Sequence, residues 1–132
     1  NNMPEYCLSR IEHILKGANI ALKESRILVI GVTYKKDIKD LRKSPSIDII
    51  ESLHKRNIEV SYYDPLIHYL KLNRINLKSV DLRKDVLNNF DCVIIATDHS
   101  CIDYDFILKH AKLIFDTRNV YKGGKSKKII KL

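Results

Sequence analysis

The stretch Gly31-Val-Thr-Tyr-Lys-Lys-Asp-Ile-Lys-Asp-Leu-Arg-Lys-Ser-Pro45 gathers more chemistry than any other part of the chain. Lys35, Lys36, Lys39, Arg42 and Lys43 stand between an apolar run, Ile27-Leu-Val-Ile30, and an amphipathic segment that begins near Ile47. Ser44 is expected to cap that helix, and Pro45 suits its first position, where a missing N–H costs nothing. Cations beside a free helix N-terminus favour an anion, most simply a phosphate. A solvated surface loop is the plain alternative, since Asp37 and Asp40 offset part of the charge.

Other short strings carry reactive groups at the ends of apolar runs. Asp64-Pro65 reads as a turn closing a strand; in a dinucleotide site an acid placed there would hold a ribose. The fingerprint that would give it that meaning is absent, because Gly31 is followed by no Gly-x-Gly-x-x-Gly and the loop is too long for tight glycine turns. Lysine and arginine side chains, rather than glycine amides, are expected to hold the anion. Thr97-Asp98-His99-Ser100-Cys101 sets a histidine near a thiol. Residues two apart on a loop need not face each other, and no third orienting group is evident, so Asp98 or Ser100 capping the next turn is the expected role. Asp116-Thr-Arg118-Asn119 places an arginine at a strand end, as a ligand contact or as a surface ion pair; convergence with the lysine loop favours the ligand.

The elements that must position these groups follow from hydrophobic spacing. A helix is expected over 4–21, then a strand over 26–30, a helix over 44–56 and a strand over 59–63. Residues 67–77 read as irregular, 81–88 as a helix, 91–96 as a buried strand, 104–109 as a short helix capped by Asp103, and 113–115 as a strand. Strands alternating with helices predict an α/β fold: a doubly wound, Rossmann-like parallel sheet in three layers, preceded by a long N-terminal helix. Ligands in such sheets lie at the carboxyl ends of the strands, where all four strings end up.

At 132 residues the chain allows one domain with a real core. Its net charge of +8 owes most to Lys122, Lys125, Lys127, Lys128 and Lys131, read as a mobile basic tail. No basic stripe is interleaved with aromatic residues, which argues against nucleic acid. Three cysteines, Cys7, Cys92 and Cys101, with no Cys-x-x-Cys pair argue against a disulfide framework or a zinc site and for reduced thiols in the cytoplasm. No apolar run reaches membrane-spanning length and no secretory signal is visible; with no Met at position 1, the chain reads as a fragment of something longer.

The long string from Gly31 to Pro45 resembles a segment of the UDP-glucose/GDP-mannose dehydrogenase family, and so do Tyr63-Asp-Pro65, Ala96-Thr-Asp-His99 and Phe115-Asp-Thr-Arg-Asn119. Asn2-Met-Pro-Glu-Tyr6 resembles the end of that family's central helical domain. The look is nearest to members that oxidise UDP-N-acetylhexosamines, such as UDP-N-acetylglucosamine 6-dehydrogenase. The resemblance implies an NAD-dependent enzyme that converts a nucleotide-sugar C6 alcohol to a carboxylate in two hydride transfers. It implies residues 1–22 as the end of a central or linker helix, 23–120 as the C-terminal UDP-binding domain and 121–132 as a basic tail. Tyr34, Lys35 and Arg118 would contact the substrate, and Arg42 would reach the NAD cofactor. The partners implied are the missing NAD-binding and central domains and a second subunit. The family's catalytic cysteine motif and Rossmann glycines are absent, so this chain alone is expected to be inactive. A non-catalytic basic module, regulatory or binding a nucleic acid or partner, on a flavodoxin-like fold is the competing expectation; a receiver-like one would want acids where Gly31-Val32 stands.

Overall fold

The computed structural model describes residues 3–124 and 126–132; Asn2 of the leading motif and Lys125 of the basic segment lie outside them. In chain order the elements are α1 (Met3–Gly17), a 3-10 turn (Leu22–Glu24), β1 (Arg26–Ile30), α2 (Pro45–Lys55), β2 (Glu59–Tyr63), β3 (Tyr69–Lys71) and β4 (Asn76–Lys78). There follow α3 (Lys84–Leu87), β5 (Cys92–Ile95), α4 (Tyr104–His110), β6 (Ile114–Asp116) and β7 (Ile129–Lys131). Five parallel strands form one sheet in the order β2-β1-β5-β6-β7, and β3 and β4 make a separate antiparallel pair.

The expected three layers are present. Ile27 and Val29 of β1 join a core with Leu8 and Ile11 of α1 and with Ile50 and Leu53 of α2. Leu28 and Ile30 belong to the opposite core, with Val93 and Ile95 of β5, Leu87 of α3 and Ile107 of α4. A strand covered on both faces needs a continuous apolar run, which is why Ile27 to Ile30 shows no alternation. Helices α1 and α2 stop where asparagine takes a left-handed conformation. Asn19 has φ 63° and Asn57 has φ 60°, and each is followed by the paired backbone bonds of a Schellman end, Ile20 N–H to Leu15 O and Ile58 N–H to Leu53 O.

Four local expectations are corrected. Residues 67–77 are not irregular throughout: β3 pairs with β4, placing Leu70 and Ile75 in the first core. The helix expected over 81–88 shrinks to Lys84–Leu87, because Val80 donates its N–H to Tyr62 O and is held extended while Leu82 packs into the second core. Ser44 occupies the cap position of α2, yet its hydroxyl makes no cap bond. The segment expected as a mobile tail supplies β7, parallel to β6, with Ile130 packed on the first core. Lys128 is drawn in as well, its Nζ donating to the terminal carbonyls of α4 at Leu108 (3.0 Å) and Lys109 (3.2 Å). Asp103 does cap α4, accepting from Phe106 N at 3.0 Å.

Candidate functional site

The chain reverses its winding direction at β1: β2 lies on one side and β5 on the other. The carboxyl ends of β1 and β5 are therefore the switch point at which a doubly wound sheet opens a crevice. Gly31 begins the loop there. Its φ is +84°, and a Cβ would lie 2.5 Å from both Cβ and O of Thr97, so only glycine lets the two strand ends come this close. The Thr97 hydroxyl then donates to Thr33 O at 2.5 Å, and Thr33 Oγ1 donates to Lys35 O at 2.8 Å.

Beneath the loop lies a buried polar cluster that joins three strand ends. Asp64, after β2, accepts from Val32 N at 2.8 Å and from His99 Nε2 at 2.9 Å through Oδ2, and from Leu66 N at 2.8 Å through Oδ1. Asp64, His99, Thr33 and Thr97 are all buried. The carboxylate is affordable inside the protein because every acceptor direction that matters meets a donor. Asp37 extends the cluster outward: its N–H donates to His99 Nδ1 at 2.8 Å, and its carboxylate accepts from Ser100 N (2.7 Å) and Ser100 Oγ (2.6 Å). Those two bonds from Ser100 hold the Asp37 carboxyl below its ordinary range.

Arg118 reaches this rim from the end of β6. Asp116 steadies the turn beneath it, accepting from the N–H groups of Arg118 (3.1 Å), Val120 (3.2 Å) and Tyr121 (3.2 Å). The Arg118 guanidinium donates through Nε to Ala96 O at 2.8 Å and through Nη2 to Tyr34 O at 3.3 Å. A guanidinium has five N–H donors, so most of them stay available after these bonds. Among the described residues no carboxylate lies within 4.0 Å of Arg118 or of Lys35, so the surface-ion-pair alternative for Arg118 is not what the structure contains.

Of the residues singled out from sequence, Tyr34, Lys35 and Arg118 thus share one rim, with the side chains of Tyr34 and Lys35 exposed. Arg42 stands on the same loop but is engaged by Asp40, at 3.1 Å from Nε and 2.9 Å from Nη2, while its side chain remains 88% exposed. Pro45 and Ile49 of α2 meet Cys7, Ala96, Thr117 and Arg118 around a cavity of about 190 Å³. The hydroxyls of Ser44 and Ser46 at that helix start are buried and have no partner among the described residues. The thiol reading of Cys101 has no support, since both ring nitrogens of His99 are already bonded to Asp64 and Asp37.

Sequence reasoning missed the Asp64–His99–Asp37 chain. Its only local signals were an acid at one strand end and a histidine just past another, neither of which says that they meet. Tyr104, whose hydroxyl donates to His99 O at 2.8 Å, was missed too; burial, helped by Asp98, pushes its phenol up.

The model of the UDP-glucose/GDP-mannose dehydrogenase family, UDP binding domain, matches residues 28–123. UDP-N-acetyl-D-mannosamine dehydrogenase of Methanococcus vannielii is 34% identical over 97% of the chain, and UDP-glucose 6-dehydrogenase of Rickettsia conorii is 30% identical over 98%. The chain spans about 30% of the length of these curated relatives. Among solved structures, UDP-D-ManNAc dehydrogenase of Pyrococcus horikoshii superposes with a TM-score of 0.77 at 28% identity, over 98% of this chain and 30% of that one.

Proposed function

The chain belongs to the UDP-glucose/GDP-mannose dehydrogenase family, and we propose that its rim of Tyr34, Lys35 and Arg118 holds the nucleotide of a UDP-sugar. The observation that carries this is the bond from Arg118 Nη2 to the carbonyl of Tyr34, which brings a strand-end arginine against the residue preceding Lys35. Two cations on one water-facing rim, one of them a planar fork already oriented by its protein bonds, suit a diphosphate. Tyr34 contributes through its half-exposed ring, its hydroxyl or its backbone.

The relatives named above act on different sugars joined to the same nucleotide, which supports this domain gripping the uridine diphosphate and other parts choosing the sugar. A UDP-N-acetylhexosamine is the substrate we favour. In the whole enzyme the reaction would be NAD-dependent oxidation of the sugar C6 alcohol to the acid, with residues 1–22 completing a central domain and the partner subunit completing a homodimer. The missing domains would supply the catalytic thiol. Burial pushes the thiols of Cys7 and Cys92 up, the latter to about 12, so neither is a ready thiolate. NAD does not fit the first strand-to-helix loop of this chain, because Gly31 is spent on the approach of Thr97 rather than on a pyrophosphate. Arg42, with its exposed guanidinium, is the one contact with the cofactor that we assign here. No helix among the described residues is long and apolar enough to cross a membrane, and all three cysteines are free, which accords with a cytoplasmic enzyme. A nucleic-acid grip by the basic C-terminal segment has less support, since Lys128 is committed to α4 and β7 to the sheet.

Titration of the purified chain with UDP tests the assignment. Lys35→Ala and Arg118→Ala should each weaken binding by about tenfold, the worth of one charge-assisted hydrogen bond. Binding of equal strength by the wild type and the double variant would rule out these roles.

A further inference from the structure

We propose that His99 is a positioning residue, which sets the loop bearing Tyr34 and Lys35 chiefly through the 2.8 Å bond from Asp37 N–H to His99 Nδ1, the 3.3 Å approach of Nε2 to Thr33 Oγ1 being the longer of its two contacts there. The inference rests on the reading of this rim as a nucleotide site and deepens it.

The protonation pattern of the ring follows from its partners. A backbone N–H can only donate, so Nδ1, 2.8 Å from Asp37 N, is the bare nitrogen. Nε2 then carries the proton and donates to Asp64 Oδ2 at 2.9 Å. The ring is buried, and its own backbone carbonyl receives the Tyr104 hydroxyl at 2.8 Å. His99 therefore has fixed orientation and two separate jobs, one on each nitrogen. Nε2–H satisfies a buried carboxylate. Nδ1 reaches outward to the loop.

What that loop needs is plain from its backbone. Asp37 has φ +62°, a left-handed conformation that aspartate tolerates better than most residues and that its hydrogen bonds fix here. His99 Nδ1 holds its N–H, and Ser100 holds its carboxylate. Two residues earlier, Lys35 is held by its own carbonyl, which accepts from Thr33 Oγ1, and Tyr34 O is held by Arg118. Lys35 and Lys36 are thus a short span pinned at both ends, with their ammonium groups outside. Fixing the backbone beforehand removes an ordering cost that would otherwise fall on the binding step.

A histidine serving the core alone would matter only through Nε2, and the two nitrogens can be separated by substitution. The side-chain oxygen of asparagine takes the place of Nδ1 and keeps an acceptor for Asp37; the side-chain nitrogen of glutamine takes the place of Nε2 and keeps a donor for Asp64. We expect His99→Asn to lower the thermal midpoint more than His99→Gln while leaving the UDP Kd within about twofold. We expect His99→Gln to raise the Kd about fivefold, one hydrogen bond's worth, and to speed amide hydrogen exchange at residues 35–37. Crossed orders, with affinity following the acceptor and stability following the donor, support the proposal. Affinity and exchange that simply track stability, or a His99→Gln variant with unchanged exchange, overturn it. If the exchange result holds but neither the wild type nor Lys35→Ala responds to UDP, positioning of the loop stands and the nucleotide reading is the one that fails.

Discussion

The two ends of the sheet solve the same problem with opposite means. At the amino end, the charged contacts are exposed: Arg26 pairs with Glu59 across β1 and β2, its guanidinium lies 5.3 Å from the ring of Phe90, and its N–H meets Asp91 at 2.8 Å. At the carboxyl end, Asp64, His99, Thr33 and Thr97 are buried and exchange hydrogen bonds between loops, while buried Asp116 braces the turn that follows it. Exposed pairs are worth little and tolerate substitution. Buried polar groups cost desolvation and are stable in one arrangement only. Such an arrangement suits an edge whose loops must stay in register to hold a ligand, whereas the opposite end has only to keep water out of the core.

The sharpest way to break this contrast is to remove one acid from each end. Asp64→Ala leaves three N–H donors without their acceptor, two of them on other elements, and should cost about 4 kcal/mol of unfolding free energy. Glu59→Ala should cost less than about 1 kcal/mol. Chemical denaturation measures both, and similar losses would mean that the two ends are built alike. Gly31→Ala should follow at about 3 kcal/mol, since the new methyl needs both a positive φ and space held by Thr97. Thr97→Val keeps the shape and removes one hydroxyl donor to Thr33 O; a loss of about 1 kcal/mol is expected, with faster amide exchange in the 33–37 loop as the accompanying sign.

How much of this was legible beforehand differs between the same two ends. Local pattern was enough for β1 and β5, whose unbroken apolar runs admit little else, and for the start of α2 at Pro45. It was enough, too, to put Lys35 and Arg118 on one edge, because strand direction decides where strand-end residues go. It failed for β7, whose lysine-rich surroundings outweighed Ile129 and Ile130; those two residues become strand only because β6 offers an open edge. It failed for the cap at Ser44, where residue type suggested a bond that the burial of the hydroxyl does not provide. The Asp64–His99 pair was out of reach for a different reason. The partners are far apart in sequence and joined by packing of three loops, and no periodicity in either segment encodes that meeting.

The smallest expected effect concerns Asp40 and Arg42, a pair at the carboxyl edge that nevertheless behaves like the exposed pairs of the other end. The Arg42 side chain and N–H both bond the Asp40 carboxylate and hold its carboxyl at about 2, against an ordinary 3.8. The folded state thus favours the ionised form, so the contribution of the pair is present above the unfolded value and is lost as pH falls through about 2. Carboxyl carbon shifts followed from about pH 6 to about pH 1.5, roughly two units to either side of the unperturbed value, should give that midpoint for Asp40, and Arg42→Ala should return it towards 3.8. The exposure of the Arg42 side chain makes the link to folding weak, so the thermal midpoint at neutral pH should barely move. Should Arg42→Ala instead lower stability as Asp64→Ala does, the guanidinium would have to be part of the buried framework, and its assignment as an exposed contact for the cofactor would lose its physical basis.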